Sequence, residues 1–200
     1  MTFQRFAQKL VSAPGRWLFG LKYTGMENIP SAGAAIVVSN HIHWMDPLLH
    51  AFCFKRGFSV MAKKELFKVK PIGWLLRELG AFPVERGHGD RGAINAAVKV
   101  LEDGKMLLIF PEGTRSRTGR LDPFKSGTAM FAATTKAMII PAYIHAPKGI
   151  GLFRKTLIEY GKPIMPEELK MTEITSSSCK VATGYIRSRI EQMERAGKAQ

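Results

Sequence analysis

The 200-residue sequence predicts an α/β fold: a single mixed, largely parallel sheet flanked by helices, with an amphipathic helical segment at the N-terminus. Three observations lead there. Short apolar runs alternate with segments of helical periodicity, as when helices cover the faces of a sheet. Hydrophobic residues make up 46% and charged residues 23%, an ordinary globular balance that excludes a disordered tail, a collagen or a mucin-like stalk. Finally, the longest stretch free of Lys, Arg, Asp and Glu, residues 28–45, is broken by Pro30, Ser31, Ser39, Asn40 and two histidines. No stretch reaches the roughly 20 apolar residues of a membrane span.

Taken in order, the first element is the amphipathic one. Residues 1–26 contain no acid, while Arg5, Lys9, Arg16 and Lys22 are basic. Phe3, Phe6, Ala7, Leu10 and Val11 recur at helical spacing, and Trp17, Leu18, Phe19 and Leu21 follow Pro14. This suits a helix lying in a membrane interface, or equally one packed on the domain. Lys9 and Pro14 argue against a secretory signal peptide. The organisation expected is a membrane-associating segment at 1–20 and one domain at 21–200.

The run GAAIVVS at 33–39 reads as a buried strand. Asp46 and Pro47 then open a helix, Asp46 as its N-cap and Pro47 in the first turn. Strands are expected at 58–62, 81–84, 106–110, 138–144 and 156–160. Helices are expected at 72–79, stopped by Gly80, then at 90–103, 127–136 and 182–195. The segment PEGTRSRTGR after the strand at 106–110 is a loop by its Pro, Gly, Ser and Thr content. In such sheets ligands gather beyond the carboxyl ends of strands.

Charge narrows the partners. Lys and Arg number 30 against 16 Asp and Glu, a formal net charge of +14. That attracts nucleic acid, an anionic membrane, a phosphorylated small molecule or an acidic protein. No helix-turn-helix, zinc-finger or RNP-type pattern is present, so a nucleic-acid partner is not expected. Residues 55–70 carry six cations against Glu65, with Phe58 and Phe67 among them and Ile72 and Trp74 just beyond, a second stretch suited to anionic lipid. Cys53 and Cys179 alone build neither a disulfide scaffold nor a four-ligand zinc ribbon, which favours the cytosolic side of a membrane or the cytosol.

Two constellations carry chemistry. In Ser39-Asn40-His41-Ile42-His43-Trp44-Met45-Asp46, a strand ends and His41 precedes Asp46 at His-x4-Asp spacing. A loop of that length can fold the carboxylate onto one imidazole nitrogen and leave the other free as a general base. Such a base can deprotonate a substrate hydroxyl for direct attack on an acyl donor. The competing readings are a plain helix cap and a metal site built on His41-x-His43. The metal reading is weak, because His50, His88 and His145 fall in no ligand motif.

The second constellation is 110–120, FPEGTRSRTGR. Its glycines permit close backbone approach, its hydroxyls donate hydrogen bonds, and its arginines can fork onto phosphate oxygens. Glu112 would orient an arginine or accept from a substrate hydroxyl. A solvated basic turn is the alternative. The Gly-Lys-Ser/Thr of a nucleotide P-loop is missing.

The order Asn40-His41-x4-Asp46, Gly80 to Arg86 (GAFPVER), Phe110 to Arg115 (FPEGTR) and Ile139-Ile140-Pro141 resembles the glycerolipid acyltransferase family, specifically its bacterial 1-acyl-glycerol-3-phosphate acyltransferases, over roughly residues 20–165. The resemblance implies an α/β enzyme that moves a fatty acyl group from acyl-carrier protein or acyl-CoA to lysophosphatidic acid, forming phosphatidic acid, with glycerol 3-phosphate or another lysophospholipid as the alternative acceptor. No metal or other cofactor is expected, because a thioester is already activated. By the same resemblance His41 is the base and Asp46 its orienting partner. Arg86, Glu112, Gly113, Thr114 and Arg115 would hold the glycerol phosphate, with Lys63 nearby, and Ile139, Ile140 and Pro141 would shape the acyl site. A lipid acceptor of this kind, with the amphipathic N-terminus, places the expected protein on the cytoplasmic face of the cell membrane, peripheral or monotopic.

Overall fold

The computed structural model describes residues 3–85 and 90–198. Seven strands form one sheet: β1 (Leu21–Thr24), β2 (Ala35–Ser39), β3 (Phe58–Lys63), β4 (Ala81–Val84), β5 (Met106–Ile109), β6 (Met138–His145) and β7 (Thr156–Tyr160). Their spatial order is β1-β7-β6-β2-β5-β3-β4. Every neighbouring pair is parallel except β6 with β7, which is antiparallel. The sheet is therefore mixed and largely parallel, as expected.

Among the described residues six α-helices flank it: α1 (Phe3–Leu18), α2 (Asp46–Ala51), α3 (Lys70–Glu78), α4 (Arg91–Glu102), α5 (Gly127–Thr135) and α6 (Ser176–Lys198). The central strands β2 and β5 are buried along their whole length, which is why their sequences are continuous apolar runs and not alternating ones. Their side chains still divide between two layers. Ala35, Val37, Met106 and Leu108 join the layer built with Leu49 and Phe52 around α2. Ile36, Val38, Leu107 and Ile109 join the layer made with Ala97 and Leu101 of α4, Phe131 of α5 and Ile186 and Ile190 of α6.

Three elements depart from expectation. Strand β1 was not foreseen: only four residues long, it alternates Leu21 and Tyr23 with Lys22 and Thr24 and gains its place by pairing with β7. Helix α6 begins and ends beyond 182–195. Helix α2 has Met45 as its N-cap, and Asp46 is already its first residue. The Asp46 carboxylate bonds backward to residues 41–43 and does not cap the helix.

Helix α1 runs unbroken through Pro14 and is docked on the domain. The buried Gly15 lies against the Phe52 ring, where a Cβ would come within 2.6 Å of ring carbon. Gln4 Nε2 donates to Phe58 O at 2.7 Å and Leu79 O at 2.8 Å. Phe6, Leu10 and Trp17 nevertheless remain 54%, 65% and 73% exposed, so the helix packs by one face and shows apolar residues on another. No helix among the described residues is long and apolar enough to cross a membrane.

Candidate active site

Because β2, β5, β3 and β4 are consecutive and parallel, their carboxyl ends share one edge of the sheet. The chain crosses from β5 on one side of β2 to β6 on the other, the switch point at which such sheets open a crevice. His41 lies two residues beyond β2, and Glu112 three beyond β5.

His41 Nδ1 and Asp46 Oδ2 are 2.7 Å apart. The same carboxylate oxygen accepts the backbone N–H of Ile42 at 2.7 Å and of His43 at 2.8 Å. Asp46 is wholly buried, and its Oδ1 has no hydrogen-bond partner among the described residues. With the carboxylate accepting, Nδ1 carries the proton and Nε2 keeps its lone pair. Asn40 anchors the start of this loop: its Oδ1 accepts from Ile144 N at 2.7 Å and its Nδ2 donates to Ile144 O at 3.2 Å, binding it to β6. The imidazole stacks on Phe110 at 4.3 Å with an interplanar angle of 23°.

Glu112 is buried, and its oxygens accept the N–H of His41 at 2.8 Å and of Asp122 at 3.1 Å. Burial raises its pKa, opposed by these two N–H donors. The carboxylate thus ties the loop after β5 to the loop that carries His41 and Asp46, where the sequence suggested an arginine partner or a substrate hydroxyl. Ser116 N–H donates to His41 O at 2.7 Å and adds a second tie.

A cleft of about 430 Å³ opens beside His41. Met61, Val84, Ala93, Ile94, Leu108 and Phe131 give it apolar walls, and Glu85, Asp90, Gly113, Lys125 and Thr128 add polar or backbone surface. Gly113 takes φ 74°, and a Cβ there would stand 2.8 Å from Lys125 Nζ. Glycine therefore serves both the left-handed turn and the approach of that cation.

Of the expected phosphate ligands, Thr114 and Arg115 are exposed in the loop after β5. Lys63 ends β3, half-exposed and 3.6 Å from Glu65. Arg86 lies outside the described residues. Ile139 and Ile140 are fully buried inside β6, paired with Ile36 and Val37. Neither they nor Pro141 lines the cleft, and Ile139 and Ile140 pack in the core on opposite faces of the sheet. Among the described residues no three His, Cys, Asp or Glu side chains converge as metal ligands.

The sequence reading missed the Phe110 shelf, the two staples onto the His41 backbone, and Lys125. A cation followed by Ser126 and Gly127 at the head of a helix was the available signal for Lys125. Behind the dyad lies another buried group that it missed. His50 Nδ1 is 2.8 Å from Tyr160 Oη, and Cys53 Sγ is 2.9 Å from the same oxygen. Burial, aided by the nearby His41, lowers the His50 pKa to about 3. Burial pushes the Cys53 thiol up to about 12.

Residues 20–145 match the protein-family profile described as Acyltransferase. The chain belongs to that family. A 1-acyl-sn-glycerol-3-phosphate acyltransferase of Bacillus subtilis is 32% identical over 181 residues, covering 88% of each chain. One of Borreliella burgdorferi is 37% identical over 134 residues, 64% of this chain and 53% of its own. This chain thus spans about half the length of some curated relatives it matches. The crystal structure of the 1-acyl-sn-glycerophosphate acyltransferase PlsC from Thermotoga maritima superposes with a TM-score of 0.77 at 25% identity, covering 98% of this chain and 82% of that one.

Proposed function

We propose that this protein transfers a fatty acyl group from an acyl thioester to the free hydroxyl of 1-acyl-glycerol-3-phosphate, giving phosphatidic acid. The observation that carries the reading is the His41–Asp46 pair at 2.7 Å, beside an apolar cleft. The relatives described above bear the name of this reaction.

An alcohol is a poor nucleophile near neutral pH, and a positioned base contributes about 10²–10⁴-fold. His41 Nε2 takes the acceptor's hydroxyl proton as its oxygen attacks the thioester carbonyl. Asp46 fixes the ring and stabilises the imidazolium that forms. Collapse of the tetrahedral oxyanion breaks the carbon–sulfur bond, and the thiolate leaves with the proton from His41. No acyl-enzyme is needed, because the acceptor itself is the nucleophile.

The cleft's apolar walls suit a fatty chain. Lys63, Arg86, Gly113, Thr114 and Arg115 would bind the acceptor phosphate, with Glu112 holding their loop against His41. The donor is acyl-carrier protein or acyl-CoA. Residues 1–20 would hold the enzyme peripherally on the anionic cytoplasmic face of the membrane, and residues 21–200 would form the catalytic domain.

The test is purified protein with a matrix of donors and acceptors. Lysophosphatidic acid should be the best acceptor with at least one donor. Faster acylation of glycerol 3-phosphate or of a phosphate-free lysolipid would overturn the acceptor assignment.

A further inference from the structure

The loop between β6 and β7 holds two large apolar side chains in the open. Leu152 and Phe153 are 57% and 66% exposed. Phe153 adopts φ 56°, a left-handed conformation that is costly for a bulky residue and free for glycine. Burial does not account for an aromatic on such a backbone, since most of the side chain is open to solvent.

The loop is firmly seated. Phe153 N–H donates to Leu18 O at the end of α1, at 2.7 Å, and Thr156 N–H donates to Gly20 O at 3.3 Å. The Phe153 ring meets Trp17 edge-on, centroids 5.2 Å apart, and Trp17 is 73% exposed. At the other end of α1, Phe3 meets Trp74 of α3 at 5.8 Å, and Trp74 is 57% exposed. The helix therefore joins two exposed aromatic pairs, on the order of 20 Å apart along its axis. Charge follows the same line. Residues 146–155 contain Lys148, Arg154 and Lys155 and no acid, and residues 1–26 also contain none. All three loop cations are exposed.

We propose that the loop 147–155 is a second bilayer contact. In it Leu152 and Phe153 enter the headgroup region of an anionic membrane beside Trp17, while Lys148, Arg154 and Lys155 face lipid phosphates. It rests on the proposed reaction only in that the acceptor is a lipid. Continuity with α1 and uniform positive charge favour a lipid surface over a protein partner.

The experiment is co-sedimentation of the full chain with phosphatidylcholine–phosphatidylglycerol vesicles, and with phosphatidylcholine alone. Leu152→Asn/Phe153→Gly removes both apolar side chains while relaxing φ at 153, so its thermal midpoint should hold or rise. Its affinity for mixed vesicles should fall roughly tenfold, the scale expected on withdrawing two such side chains from the interface. Lys148→Gln/Arg154→Gln/Lys155→Gln should lose roughly fivefold per cation on mixed vesicles and little on phosphatidylcholine. Acylation of detergent-dispersed lysophosphatidic acid should be unchanged in both. A wild-type chain without that activity would overturn the proposed reaction, and vesicle affinity would still report on the loop. Both variants binding mixed vesicles like wild type would overturn the loop proposal and point to a protein cover.

Discussion

One oxygen of Asp46 receives three hydrogens, from His41 Nδ1 and from two successive backbone N–H groups. The imidazole is thereby held against the turn that carries it, so its orientation survives without substrate. On the proposed mechanism His41→Ala should lower kcat by about 10²–10⁴-fold or more with an unchanged thermal midpoint. Asp46→Asn should lose less, because the base remains while its tautomer is no longer enforced. Near-normal turnover of His41→Ala would exclude it as the base. Arg115→Ala should raise the acceptor KM more than it lowers kcat, with Arg115→Lys a partial rescue, since an ammonium cannot make the forked contact. Equal loss toward a phosphate-free acceptor would count against that role. His50 makes a different prediction. Its pKa is about 3 when folded against 6.5 for a free side chain, so between these values the unfolded chain holds one more proton. Stability should fall as pH drops through that window, by about 1.4 kcal/mol per pH unit. Thermal midpoints followed from neutral to mildly acid pH should show this slope, reduced in His50→Gln. An equal slope in the variant would refute the assignment.

At the scale of elements, α1 is packed on the domain by one face and leaves apolar residues exposed on another, because a helix has more than one face. Gly15 against Phe52 and Gln4 on two carbonyls give it a seat, while Phe6, Leu10 and Trp17 stay outside. Phe6→Glu/Leu10→Glu should release the protein from anionic vesicles and abolish acylation of vesicle-borne acceptor, leaving activity on detergent-dispersed acceptor intact. Retained binding would leave α1 a packing element only. Most elements were legible because their signals are local. Apolar runs at 33–39 and 106–110 announced β2 and β5, and Asp90 announced the start of α4, where it does accept from Ala93 N–H. The His41–Asp46 pair was legible for the same reason, its members being five residues apart. What was illegible depends on pairing between distant segments. Glu112 reads as a substrate ligand until β5 is known to lie beside β2, which brings its carboxylate under the His41 N–H. Likewise β1 is too short to register alone.

For the whole molecule, the reaction proposed needs positioned groups and an activated acyl donor, and a thioester already supplies the second. Activity should therefore survive exhaustive chelation with EDTA. Complete loss restored by zinc would revive the ligand reading of His41 and His43. The pairing of β1 with β7 has a further consequence, in the order of synthesis. Leu21 is in register with Thr156, so the strand that follows α1 has no partner until most of the chain exists. At roughly 5–20 residues per second this is a wait on the order of ten seconds. During it strands β2, β5 and β3 can assemble, whereas α1 has been made and lacks the anchor at its C-terminal end. The His41–Asp46 pair can thus form before that edge exists: a nascent chain stopped short of residue 147 would carry His41, Asp46 and the seat of α1 on Phe52, Phe58 and Leu79, but neither β7 nor the loop that meets the end of α1.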